Sequence, residues 1–249
     1  MLVLSPSELR RHAALVWRHR AASEKVSSAR FFRLAAALAR QGVPGELVGR
    51  ARSAGDDETR HAQLCAAHAD LCAAQAELSA AAAGQVLEEP SMVVPPQVLT
   101  PARLATRDEV LTESFAFCAL SETLNATLLS VTLQHAADEQ LQALVRTLLA
   151  DEVQHARLGW AHLAFERARG PCAVLATRLV PLLQEAISPE LLARKGDTAQ
   201  DPEALGLGIL SPALRLDLIA ATLRDVIFPG LESAGVDVAG ARTWASLHL

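Results

Sequence analysis

The 249-residue chain has no tyrosine, three tryptophans and six phenylalanines. Neither a tyrosyl radical nor a tyrosine acid can serve its chemistry. Its four cysteines are too few for a disulfide framework. No C-x-x-C pair, G-x-G-x-x-G or Walker A stretch occurs, so the common zinc-ribbon and nucleotide signatures are missing. Basic residues do not dominate. There are 23 Lys and Arg against 28 Asp and Glu, a net charge of −5. That balance leaves no electrostatic footprint for non-specific nucleic-acid binding. Long hydrophobic runs are also absent. The best candidate, Thr123 to Ala137, is short and holds Thr, Asn, Ser, Gln and His. A membrane span needs about 20 mostly apolar residues. The opening Met1–Pro6 has no basic region ahead of a long apolar one, as a secretory signal would. These absences predict a reduced, cytoplasmic, soluble protein with no nucleic-acid and no membrane partner.

What is present is apolar and helix-forming. Hydrophobic residues make up 51% of the chain, enough for a sizeable core. The prolines leave three long proline-free windows, 7–43, 45–89 and 102–170, rich in Ala, Leu, Arg, Glu and Gln. Ser5-Pro6-Ser7-Glu8 reads as a helix cap with Pro in the first turn. A polar break near Asp138 divides the third window. The expected helices are therefore 6–41, 45–82, 108–135 and 139–169, all-α, in two antiparallel hairpins. The segment from Leu87 to Pro101, rich in proline, suits a crossover between the second and third. Residues 1–170 form the predicted bundle. Residues 171–249 read as a C-terminal helical extension, with one helix from Ser211-Pro212 to about Phe228.

An internal repeat carries the chemistry. Residues 57–68 read DETRHAQLCAAH and 151–162 read DEVQHARLGWAH, identical at seven of twelve positions. Residues three apart share a helix face, so Glu58 points with His61, and Glu152 with His155. Each pair offers one oxygen and one nitrogen ligand. A two-metal site in a bundle also takes one Glu from each of the other two helices. Glu24 lies on the first helix's apolar stripe with Trp17, Phe31 and Leu38. Glu122 lies in an uncharged stretch, with Phe115, Cys118 and Leu129 at −7, −4 and +7. A buried carboxylate is costly unless paired or coordinated. Glu113 competes with Glu122, but nine residues of α-helix set them about 180° apart.

Asp57 and Asp151 precede the two ligand Glu residues. The spacing predicts that each reaches across, Asp57 to His155 and Asp151 to His61, holding the imidazoles from outside. The alternative is a pair of helix-surface carboxylates. His68 and His162 lie about 10 Å further along by helix rise, too far for the same metals. They read as core hydrogen-bonding histidines, or as a proton or iron path. Cys65 and Cys72 are too far apart to pair and read as small core residues. Cys118, one turn from Glu122, is either core or the wall of a cavity near the metals.

On these residues the chain resembles the ferritin-like diiron-carboxylate superfamily over about 1–170. The order Glu24, Glu58-x-x-His61, Glu122, Glu152-x-x-His155 matches its four-helix ligand pattern, and the paired D-E-x-x-H form looks like the bacterial multicomponent monooxygenases. The arylamine N-oxygenase type has a further His where this chain has Leu148, and the rubrerythrin type adds a Cys₄ module that is absent here. The resemblance implies a ferritin-like four-helix bundle holding two Fe ions, or a Mn/Fe pair, with no catalytic residue beyond the ligands. It implies an oxidoreductase: an oxidase or oxygenase that activates O2 on a small organic substrate with an external electron donor. A ferroxidase or peroxide-scavenging role and a non-catalytic metal-bound scaffold are the alternatives. A homodimer is compatible with it.

Overall fold

A computed structural model describes residues 4–84, 104–193 and 200–249. Among these the chain is all-helical, without a strand. The first two helices are α1 (Pro6–Arg40) and α2 (Gly45–Ala83). Ser5 opens α1 in a capping box: its side chain accepts from the Glu8 amide, and Glu8 accepts from the Ser5 amide. Gly42, at φ +69°, makes the turn that Pro44 then leads into α2. Next come α3 (Arg107–Ser114), a π-helical segment (Phe115–Ser121) and α4 (Glu122–His135), which run on as one helix. Asp138 caps α5 (Glu139–Arg169), accepting from the Leu141 amide at 2.7 Å. The four expected long helices are present, with ends shifted by one residue at most. The predicted crossover, 87–101, lies outside the described residues.

The third long helix departs from expectation. It is not a regular α-helix, because its middle is π-helical. The hydroxyl of Ser121 donates to the carbonyl of Ala116, five residues back, at 2.8 Å. Gly159 of α5 explains why this segment is held so tightly. A Cβ there would lie 2.3 Å from the Ala119 nitrogen. Only a glycine lets α5 approach that backbone. This helix is also longer than the stretch 123–137 and, by length and composition, passes the test for a membrane span. In the fold it packs against α5 and buries the carboxylates of Glu113 and Glu122.

The C-terminal part holds α6 (Ala173–Ala193), α7 (Pro202–Gly206), α8 (Pro212–Thr222), a second π-helical segment (Leu223–Ile227), α9 (Phe228–Ser233) and α10 (Ala239–His248). The predicted stop at Phe228 is not a stop. The π-helical segment runs directly into Pro229, and the chain stays helical through it to Ser233. Gly230 is needed there, since a Cβ would meet the Trp160 ring at 2.7 Å. This part shares one core with the long helices: Phe115, Leu120 and Leu163 pack with Leu175, Leu223 and Ile227.

Two further apolar layers matter for the site. One contains Phe31, Leu34, Ala54, Phe117 and Leu158. The other contains Trp17, Ala21, Cys65, Leu129 and Leu148. Along α1, α2 and α5 the candidate ligands fall between them.

Candidate metal centre

All six predicted ligands meet in one place. Glu24, Glu58, His61 and Glu152 bring ligand atoms within 4.8 Å of one another, and so do Glu58, Glu122, Glu152 and His155. Glu58 and Glu152 belong to both groups. The arrangement is thus two adjacent positions, with Glu24 and His61 at one and Glu122 and His155 at the other. All six are buried, and none is more than 4% exposed. These groups can hold metal ions.

The two aspartates do what their spacing predicts. Asp151 Oδ2 lies 3.0 Å from His61 Nε2, and Asp57 Oδ2 lies 3.4 Å from His155 Nε2. An imidazole that gives its Nε2 proton to an aspartate turns its Nδ1 lone pair the other way. Here Nδ1 of His155 faces Glu58 and Glu152, each at 3.2 Å, and Nδ1 of His61 faces Glu58 at 3.6 Å. Arg60 ties the outer ends together, with Nη2 at 3.0 Å from Asp57 and 2.6 Å from Asp151.

The buried carboxyls and imidazoles shift one another's protonation. Burial pushes the Glu24 carboxyl well above the usual range, and Arg20 only partly offsets that. Burial does the same to Glu122, reinforced by Glu152 and Glu58. Burial also acts to raise Glu58, but the His155 and His61 imidazoles outweigh it and hold that carboxyl far down. Burial works against a charged His155, yet Glu152 and Glu58 raise it to about 10. His61 is raised too, as Glu58 and Asp151 override its burial. Both carboxylate oxygens of Glu58 and Nδ1 of His61 are buried without a hydrogen-bond partner. Buried carboxylates and imidazoles left with so few hydrogen bonds fit a multivalent cation.

Two residues at the site carried no sequence signal of their own. Arg20 Nε is 2.9 Å from Glu24 Oε1, and its Nη2 is 3.5 Å from Glu152. Asn125 Nδ2 donates to Glu152 Oε1 at 2.7 Å and its carbonyl accepts from Arg20 at 3.1 Å. Helical spacing hints at both: Arg20 is four residues before Glu24, and Asn125 three after Glu122.

The other candidates fall elsewhere. Glu113 is buried but taken by Arg30, which donates to it at 2.6 and 2.9 Å. Cys118 is fully buried behind the close approach at Gly159, and the cavity described below does not reach it. Cys65 and Cys72 are free and buried, as expected. The two outer histidines each meet half of the expectation. His68 hydrogen-bonds Cys72 Sγ through Nε2 at 3.5 Å but is only half-buried, edge-on to Trp17 at 5.1 Å. His162 is buried, but neither ring nitrogen has a hydrogen-bond partner. Its nearest charge, Glu166, stays 3.6 Å away because Arg107 and Arg169 hold that carboxylate.

Glu24 and Glu122 line a cavity of about 380 Å³. It lies between α1 and α4. Its outer wall comes from the C-terminal part, through Ala186, Gly208, Leu210, Arg215 and Ile219. The segment 171–249 showed no chemistry motif in sequence, yet it shapes the space next to the ligands.

No known protein family, curated protein or solved structure matches the chain.

Proposed function

We propose that this chain is a ferritin-like dimetal-carboxylate enzyme that activates O2 to oxidise a small organic molecule. The observation that carries this reading is the pair of buried Glu/His groups sharing Glu58 and Glu152, with Glu24 and Glu122 lining a cavity beside them. Glu, Glu-x-x-His, Glu, Glu-x-x-His from four successive long helices is the donor pattern of two-metal bundles. An oxygen-rich set with two imidazoles suits iron, or manganese with iron.

When bound, the metal pair would supply reduction of O2, with electrons from an external donor. The protein's own residues do the rest. Glu24, Glu58, His61, Glu122, Glu152 and His155 would hold the metals, with Nδ1 of each imidazole as the nitrogen donor. Asp57 and Asp151 hold the imidazole tautomers. Arg20 and Asn125 fix Glu24 and Glu152 in place. The apolar layers on either side exclude water. Residues 1–170 carry every ligand, and 171–249 closes the cavity.

Iron as substrate is the weaker reading. Among the described residues the cavity wall carries Arg20, Arg30 and Arg215, and its carboxylates are Glu24 and Glu122. A cation would meet that wall unfavourably.

Anaerobic Fe(II) titration of the metal-free protein, followed by O2 uptake, tests the proposal. Two irons per chain and prompt O2 consumption are expected, both lost in Glu122→Ala. Binding of one iron or none sinks the six-ligand centre.

A further inference from the structure

The two positions of the centre have different neighbours. Glu58 turns one oxygen to each: Oε1 lies 3.2 Å from Nδ1 of His155, and Oε2 lies 3.6 Å from Nδ1 of His61. Glu152 is divided less evenly. Its Oε2 lies 3.2 Å from Nδ1 of His155. Its Oε1 accepts from Asn125 Nδ2 at 2.7 Å and lies 3.5 Å from Arg20 Nη2. Arg20 Nε also lies 2.9 Å from Glu24 Oε1. The Asn125 carbonyl accepts from Arg20 Nη2 at 3.1 Å and holds the guanidinium there. At the Glu24 and His61 position, two of the carboxylate oxygens thus already face a fixed cation. At the Glu122 and His155 position, one oxygen from each shared glutamate converges on one imidazole nitrogen. The charge that acts most on Glu24 is that of Arg20. The charges that act most on Glu122 are those of Glu152, Glu58 and Glu24, all acidic. Arg20 stands four residues before Glu24, whereas four before Glu122 stands Cys118, buried and uncharged.

We infer that Arg20 makes the two positions unequal: a divalent cation binds first among Glu58, Glu122, Glu152 and His155, and a second binds later and more weakly at Glu24 and His61. A cation entering beside Glu24 must share Glu24 and Glu152 with the guanidinium and is repelled by it. Charges buried together act on one another more strongly than in water. A guanidinium does not shed its proton in a protein, so deprotonation gives no relief. The other position meets no such competitor, and its acidic groups oppose one another until a cation joins them. Arg20 is therefore a positioning residue that holds Glu24 and Glu152 at the expense of affinity at one position. The inference rests on the two-metal centre of the proposed function, but only on its binding of metal and not on its O2 chemistry.

Mn(II) titrated into the metal-free full chain, followed by electron paramagnetic resonance, tests the order. The first equivalent is expected to give the signal of an isolated ion, and the second to replace it with that of a coupled pair. The two affinities should differ by about tenfold or more. Arg20→Met should bring them together by tightening the second step. A purely structural Arg20 would instead weaken both steps and leave their separation unchanged. Glu24→Gln should remove only the weak step, and Glu122→Gln the tight one. Equal affinities in the unaltered chain overturn the inference, as does a coupled signal at the first equivalent. So does a separation that survives in folded Arg20→Met. If that variant does not fold, the two glutamate variants carry the test, and loss of the tight step in Glu24→Gln counts against the inference. A parallel measurement of O2 uptake by the iron-loaded chain separates the two ideas. Ordered binding of two ions without O2 uptake spares the inference and sinks the proposed chemistry. Two ions of equal affinity with O2 uptake do the reverse. Fewer than two ions bound removes both.

Discussion

At the scale of single residues the centre is a problem of buried charge. Four carboxyl groups and two imidazoles are buried together, and Arg20 adds a permanent positive charge beside Glu24 and Glu152. Without metal, Glu24 and Glu122 hold protons to a pH well above their usual range, and His155 holds one up to about 10. Metal ions must displace these protons. Metal affinity should therefore rise with pH, and binding should release protons. Calorimetry in two buffers of different ionisation enthalpy measures the release, and a count of zero contradicts the assignment. The sign for the metal-free fold follows from the same groups. A raised folded-state pKa adds stability below the unfolded value, which is lost as pH climbs through the folded one. For His155 that window runs from about 6.5 to about 10, so the metal-free protein should weaken across it. Denaturant midpoints over that range check this. Asp151 holds His61 at 3.0 Å and Asp57 holds His155 at 3.4 Å. Asp151→Ala should cost about 10- to 100-fold in metal affinity, and Asp57→Ala less, with the fold retained. Equal, negligible effects in a metal titration would return both to surface carboxylates.

At the scale of elements, the repeat explains the symmetry of the centre and one glycine explains its asymmetry. Cys65 in the first copy corresponds to Gly159 in the second. Cys65 fills core between α1 and α2, whereas Gly159 lets α5 touch the backbone of Ala119. The π-helical segment at that contact ends directly before Glu122. Gly159→Ala should destabilise the protein by about 1–3 kcal/mol, the usual cost of overpacking. Because the strain falls on the segment that carries Glu122, it should also lower metal affinity. Urea denaturation and iron titration of the same variant measure both. The α-helical period predicted the helices and their faces, since Trp17, Glu24, Phe31 and Leu38 are all buried. It could not predict the π turn, because one wider turn leaves no mark on composition. The angle drawn between Glu113 and Glu122 assumed a regular helix. The π turn lies between the two, Glu122 reaches the centre, and Arg30 holds Glu113 away from it.

At the scale of the whole molecule, the centre ties four long helices together and the C-terminal part closes the cavity beside it. Metal should therefore stabilise the entire fold. Linkage gives about 2.7 kcal/mol when free metal is about a hundred times Kd. A thermal transition that ignores Fe(II) or Mn(II) would contradict a centre spanning all four helices. Six candidate ligands and two flanking aspartates could be brought to one place from the chain alone because a helix converts spacing into direction. Glu58 and His61 must share a face wherever that helix packs. Ser5, Asp138 and Gly84 set helix ends locally, so the boundaries were also readable. Contacts between distant segments were not. Arg20 meets Asn125 105 positions away, and Trp17 donates to the Leu207 carbonyl across 190. Local periodicity holds no information about which surfaces meet. The cavity, its Arg215 and its apolar flanks exist only once α8 packs against α4, through side-chain complementarity across the chain rather than any spacing within it.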